Sequence, residues 1–126
     1  MTDRTETGMK IRRAVLGDVH VNRAEASKTA FDAPFQDMIT CGAWGTVWAG
    51  DHLELRERSM LTLALLAAQG LDDEFVMHLR ATVNTEASPE DVREVLMHVA
   101  VYAGVPRANH ALKLAIATYA ELGIAV

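Results

Sequence analysis

Cysteine is almost missing from this chain: Cys41 is the only one in 126 residues. That excludes an internal disulfide and a two-thiol redox cycle, and one thiol is too few for a cysteine zinc site. A reducing compartment is the natural home for such a protein. Proline is scarce as well, with only Pro34, Pro89 and Pro106. Each stands at a plausible helix start, where the first-turn N–H has no intrahelical partner to lose. There is no repeat, low-complexity tract or Pro/Gly-rich linker, so residues 1–126 read as one domain. Long apolar runs are lacking too. The longest, Leu63 to Ala68, is far short of a membrane span, and Met1 to Lys10 holds no apolar stretch of signal-peptide type. A cytoplasmic protein with no membrane partner is the expectation. Positive charge is in deficit: twelve basic residues against seventeen acidic ones give a net charge of -5. A general nucleic-acid binder needs the opposite balance. An anionic small substrate is still admissible, because a few local arginines can outweigh the global sign.

What is present is helix-forming. Half of the chain is apolar and 23% is charged, which suffices for one hydrophobic core. Ser88-Pro89-Glu90-Asp91 supplies an N-cap hydroxyl, a proline at the first helical position and acids where the helix dipole favours them. Val92, Val95, Leu96, Val99 and Ala103 then recur at helical spacing. Gly104-Val105-Pro106 ends that helix and starts the last one, which carries Ala108, Leu112, Ala115, Ile116 and Tyr119 up to a capping Gly123. Upstream, Leu53 to Gln69 predicts a helix ended by Gly70. Its second half is apolar on nearly every face, which predicts the central, most buried helix. Leu71 to Val83 predicts the next. Ala33 to Trp48 is a weaker helix with Phe35, Met38, Ile39 and Trp44 inward, interrupted at Gly42 and Gly45. A short helix over Met9 to Leu16 leads into it. No segment alternates with period two, so the fold class is all-α, a helical bundle of about six helices.

Glu74 and His78 stand four apart, on one face of their helix. A carboxylate beside an imidazole is a usable proton-transfer pair; the plainer reading is a surface i, i+4 pair. Met77 and Leu79 bracket His78 with apolar neighbours, which favours burial. Arg56, Arg58 and Arg80 suit bidentate recognition of carboxylate, or simply a solvated face. Arg12 and Arg13 offer the same two readings. Five histidines raise the question of a metal, yet the paired Glu-x-x-His motif of di-iron bundles and the His-Glu-x-x-His zinc motif are both absent. No metal site is expected. His98 is expected to pack or cap within its helix. His110, after Asn109 on a small-residue helix, either projects into a pocket or sits satisfied in the core. Trp44 and Trp48 read as core or interface anchors.

Several stretches together resemble the carboxymuconolactone decarboxylase family, in its 4-carboxymuconolactone branch. They are Arg12-Arg13-Ala14-Val15-Leu16-Gly17-Asp18-Val19-His20; Phe35-Gln36-Asp37 with Ala43-Trp44-Gly45 and Trp48; and Arg58-Ser59-Met60-Leu61-Thr62-Leu63-Ala64. Glu74, His78-Leu79-Arg80-Ala81 and Tyr102-Ala103-Gly104-Val105-Pro106-Arg107-Ala108-Asn109-His110-Ala111 complete the set. The likeness runs nearly the whole chain in order. The family is similar in fold to the alkyl hydroperoxidase D proteins, whose Cys-x-x-Cys-x-x-x-His falls on Leu71, Glu74 and His78; both thiols are gone, and the peroxidase chemistry with them. Where the branch often shows an Asn-Gly turn after Ala81, this chain has Thr85-Glu86-Ala87-Ser88.

The resemblance implies cofactor-free decarboxylation of 4-carboxymuconolactone to the β-ketoadipate enol-lactone, in the protocatechuate branch of aromatic catabolism. It implies Glu74 and His78 as the proton-transfer pair, with Arg58, Arg80, Tyr102 and His110 binding substrate. It also implies a homo-oligomer, often a hexameric ring of dimers. Two alternatives stay open: a relative acting on another small lactone or β-keto acid, and a non-catalytic helical scaffold. In the scaffold, Glu74, His78 and Arg58 would all point to solvent.

Overall fold

The computed structural model describes residues 2–126. They form seven α-helices and one π-helical segment, with no strand among the described residues. The helices are α1 (Thr2–Leu16), α2 (Asp18–Ala26), α3 (Ala33–Ile39), α4 (Leu55–Gln69), α5 (Asp72–Thr85), α6 (Pro89–Ala103) and α7 (Val105–Leu122); the π-helical segment, Thr40–Val47, continues α3. The all-α expectation holds. The chain divides into two compact units, one up to Leu55 and one over Arg56–Val126.

In the first unit α1 packs against the π-helical segment, and two glycines set how closely. A Cβ on Gly8 would collide with the Thr40 carbonyl oxygen, and one on Gly45 with that of Arg4. Only hydrogen in place of a side chain lets these backbones approach so far. Gly42 and Gly45 do not break the helix, as the sequence suggests, but accompany its widening: the Trp48 N–H donates to the Ala43 carbonyl at 2.9 Å, an i→i−5 bond. Trp44 and Trp48 are buried there with ring centroids 5.0 Å apart. Phe35 and Met38, expected inward, are 57% and 60% exposed; the short α3 turns its apolar face outward. α1 begins seven residues earlier than the Met9 expected from the sequence, and α2 was not expected at all. Val21 is its only buried residue, so it lacks the apolar stripe by which helices are recognised.

The second unit is built on α5, α6 and α7. α6 and α7 form a helical hairpin through Gly104, at φ 107°, and α7 also packs on α5. Phe75, Leu79 and Val92 are essentially inaccessible within its core. α4 departs from expectation. It buries only Ser59, Leu63 and Ala67, whereas α5 buries six residues. Leu61 and Leu65 stand outward at 54% and 62% exposure. The apolar ring around α4 is thus an outer surface as well as an inner one.

The terminators are local. Gly70, at φ 71°, closes α4 with the Leu71 N–H donating to the Leu66 carbonyl at 3.0 Å, and Gly123 closes α7 with the Ile124 N–H on the Tyr119 carbonyl at 2.9 Å. Ser88 caps α6 as its sequence predicts. Its hydroxyl accepts from the Asp91 N–H at 3.0 Å while the Asp91 carboxylate accepts from the Ser88 N–H at 2.9 Å. No described helix is long and apolar enough to cross a membrane.

Candidate active site

α5 presents two faces. Phe75, Leu79 and Thr82 go into the core; Glu74 and His78, one turn apart, lie along another line. Glu74 is exposed and His78 is buried, at 9% exposure. The apolar neighbours Met77 and Leu79 anticipate that burial. The His78 Nδ1 is fully shielded from solvent, as is the Nε of Arg58, half-buried on α4 next to the wholly buried Ser59. Of the three, Glu74 faces solvent, Arg58 is half-buried and His78 is buried. One imidazole nitrogen and one guanidinium nitrogen are withdrawn from water, and the Glu74 carboxylate, one turn from His78, still reaches it. A guanidinium of this kind is suited to holding an anion, and an imidazole with a carboxylate one turn away to relaying a proton.

The other expected substrate-binding residues lie elsewhere. Arg80 engages Glu121 of α7 in an ion pair. Tyr102 is 80% exposed near the end of α6, its ring 4.9 Å from that of His98. His98 is exposed rather than packed in the core, so this ring contact is its packing. His110 opens α7, with Nε2 2.8 Å from Oδ2 of Asp72 in the first turn of α5. That pair stands on the rim of a cavity of about 220 Å³, floored by Leu66, Phe75, Ala111 and Leu114. Arg107 shares the rim, its guanidinium lying over Gly70, where a Cβ would strike it. Sequence reading found His110 but missed Asp72 and Arg107. Arg107 directly follows the Tyr-x-Gly-x-Pro run, a usable signal; Asp72 is 38 residues from His110 in sequence, and only folding joins it to this rim.

Arg56, read from sequence as either a carboxylate binder or a solvated residue, is a structural fork. Its Nε and Nη2 donate to the Asp91 carboxylate at 2.8 and 2.6 Å. Those bonds, then the Ser88 N–H, hold the Asp91 carboxyl down at about 2. In the first unit, Arg13 pairs with Asp18 at 3.1 Å. Arg12 is buried, and the imidazole of His20 is held below its usual range by burial, then by Arg12 and Arg23.

Residues 33–117 match the Carboxymuconolactone decarboxylase family. The helical chain thus falls into a known class, and it is a member of that family. It is 39% identical over 122 residues, 97% of its length and 91% of the relative's, to a 4-carboxymuconolactone decarboxylase of Acinetobacter baylyi. It is 38% identical over 107 residues, 85% of its length and 75% of the relative's, to a nitrosuccinic acid decarboxylase of Metarhizium robertsii. A third match, 50% identical over 42 residues, covers 33% of this chain and 88% of a 4-carboxymuconolactone decarboxylase sequence from Pseudomonas putida. With relatives of that identity and coverage, the chain is a carboxy-lyase.

Proposed function

We propose that this carboxy-lyase acts on 4-carboxymuconolactone, releasing carbon dioxide and forming the β-ketoadipate enol-lactone in the cytoplasm. The observation that carries the reading is the 39% identity to the Acinetobacter decarboxylase across 97% of the chain. The burial of His78 one turn from an exposed Glu74 supplies chemistry of the kind required.

The substrate's own electronic structure does most of the work. Breaking the bond between the ring carbon and its carboxylate leaves an electron pair on the ring. That pair moves through the ring double bond onto the lactone carbonyl oxygen, giving a dienolate. A proton then adds to the ring carbon next to that carbonyl, which shifts the double bond and yields the enol-lactone. No external electron sink is needed on this route. Arg58 holds carboxylate or stabilises the developing oxyanion, where a preorganised cation acts more strongly than water does. His78 delivers the proton from its shielded position, and Glu74 restores it from solvent. Arg80, Tyr102 and His110 enter the proposed set where subunits meet, in a homo-oligomer built as a ring of dimers.

One observation favours a second reading of the substrate, the nitrosuccinic acid decarboxylase at 38% identity. A nitro group, like a lactone carbonyl, accepts an electron pair, so the same residues could serve an acyclic dicarboxylate. Parallel turnover assays with both compounds separate the two. A kcat/KM higher for nitrosuccinate than for the lactone would replace the first reading with the second.

A further inference from the structure

A buried guanidinium lies in the first unit. Arg12, in the last turns of α1, is only 7% exposed. Its Nη1 is fully shielded and makes no hydrogen bond among the described residues. A guanidinium cannot escape this situation by losing its proton, because it stays charged at any pH the fold survives. A buried cation without a counter-ion opposes folding, and such strain is kept where a ligand relieves it.

The surroundings sharpen the point. Arg12 and Arg23 both act on His20, and together with burial they keep that imidazole neutral to a lower pH than usual. The acids on α2 are committed elsewhere: Asp18 to Arg13 at 3.1 Å, and Glu25 to Lys28 at 3.2 Å. Two guanidinium groups thus act on one imidazole, and both acids of α2 are already paired with other cations.

We propose that Arg12 is the anchor of an anion site that takes a carboxylate of a small organic acid. The planar fork of the guanidinium matches a carboxylate's two oxygens, and a neutral imidazole beside it can donate one further N–H. The choice of ligand class rests on the decarboxylase reading above, since the proposed substrate is a small carboxylate; the anion site itself rests on Arg12.

Thermal melting with and without succinate, at matched ionic strength, tests this on the full chain. Succinate is expected to raise the wild-type melting temperature saturably, by several degrees. Arg12→Met, which keeps the apolar stem, should melt higher than wild type without succinate and lose the response. Arg12→Lys should keep only part of it, and guards against a methionine variant that fails to fold. Three results would overturn the proposal. They are no succinate response in the wild type, a full response in the folded variants, and a lower melting point for Arg12→Met in buffer alone. The last would mean that the guanidinium already has a structural partner, such as a carboxylate of a second copy. Carbon dioxide release from the lactone is scored separately on the same samples. A wild type inactive on the lactone but responsive to succinate through Arg12 would sink only the substrate reading.

Discussion

In the proposed mechanism His78, buried, and Glu74, exposed, divide their duties by exposure. A proton donor for a carbon acid works best away from water, where the carbanion equivalent cannot be quenched at random, yet it must be recharged afterwards. An exposed carboxylate one turn along the helix can do the recharging. His78→Ala is therefore expected to lower kcat by about 10²- to 10⁴-fold. Glu74→Gln should lower it less, with circular dichroism unchanged for both variants. Near wild-type turnover in either folded variant removes that residue from the mechanism. Asp91 makes a different residue-scale prediction. Its carboxyl is held at about 2 by Arg56 and the Ser88 N–H, below its ordinary 3.8. The contribution of a depressed acid is fully present above the unfolded value and is lost as pH falls through the folded one. The wild type should thus lose stability between about pH 4 and pH 2 through this site, while Asp91→Asn should show a weaker dependence there. At neutral pH the same substitution is expected to cost about 1 kcal/mol, the typical worth of a cap. Equal denaturant midpoints for the two proteins at pH 6 would remove Asp91 from the ledger of stabilising groups.

At the scale of elements, local rules and close backbone contacts explain most of what the helices do. The cap at Ser88, the prolines at helix starts and the glycine stops at Gly70 and Gly123 are written in short stretches of sequence, and the structure follows them. α2 was not legible, because a mostly polar helix held by one buried valine carries no periodic signal. The π-helical turn was illegible for another reason. Gly45 is there for a carbonyl of α1, a neighbour distant in sequence. The same limit applied to the candidate site: the Glu74–His78 line needs only helical spacing, whereas the Asp72–His110 pair needs the tertiary fold. Two substitutions test these accounts. Glu86 caps α5 at φ 68°, a left-handed conformation that costs a side-chain-bearing residue about 1–2 kcal/mol. Glu86→Gly should therefore raise the melting temperature; a drop would mean that the Glu86 side chain makes a compensating contact. Gly45→Ala places a methyl against the Arg4 carbonyl oxygen and should cost about 1–3 kcal/mol by overpacking. An unchanged denaturation midpoint would show that α1 can slide away without loss.

At the scale of the whole molecule, a 126-residue chain leaves many large apolar side chains outside. Leu61 and Leu65 on α4, Val101 and Tyr102 on α6, and Val105 on α7 are all more than half exposed. Exposed apolar side chains of this kind are available to the proposed ring of dimers, in which subunit contacts would cover them. Leu65→Glu is expected to shift the particle mass in light scattering toward smaller species, and a wild type that is already monomeric at micromolar concentration contradicts the oligomer. The central claim is chemical, however, and one measurement reaches it directly. Purified protein is mixed with 4-carboxymuconolactone in excess chelator without added cofactor, and carbon dioxide release is followed. Prompt, enzyme-dependent release, lost in His78→Ala, is the predicted result. No release from a folded wild type would contradict the account of what this carboxy-lyase acts on.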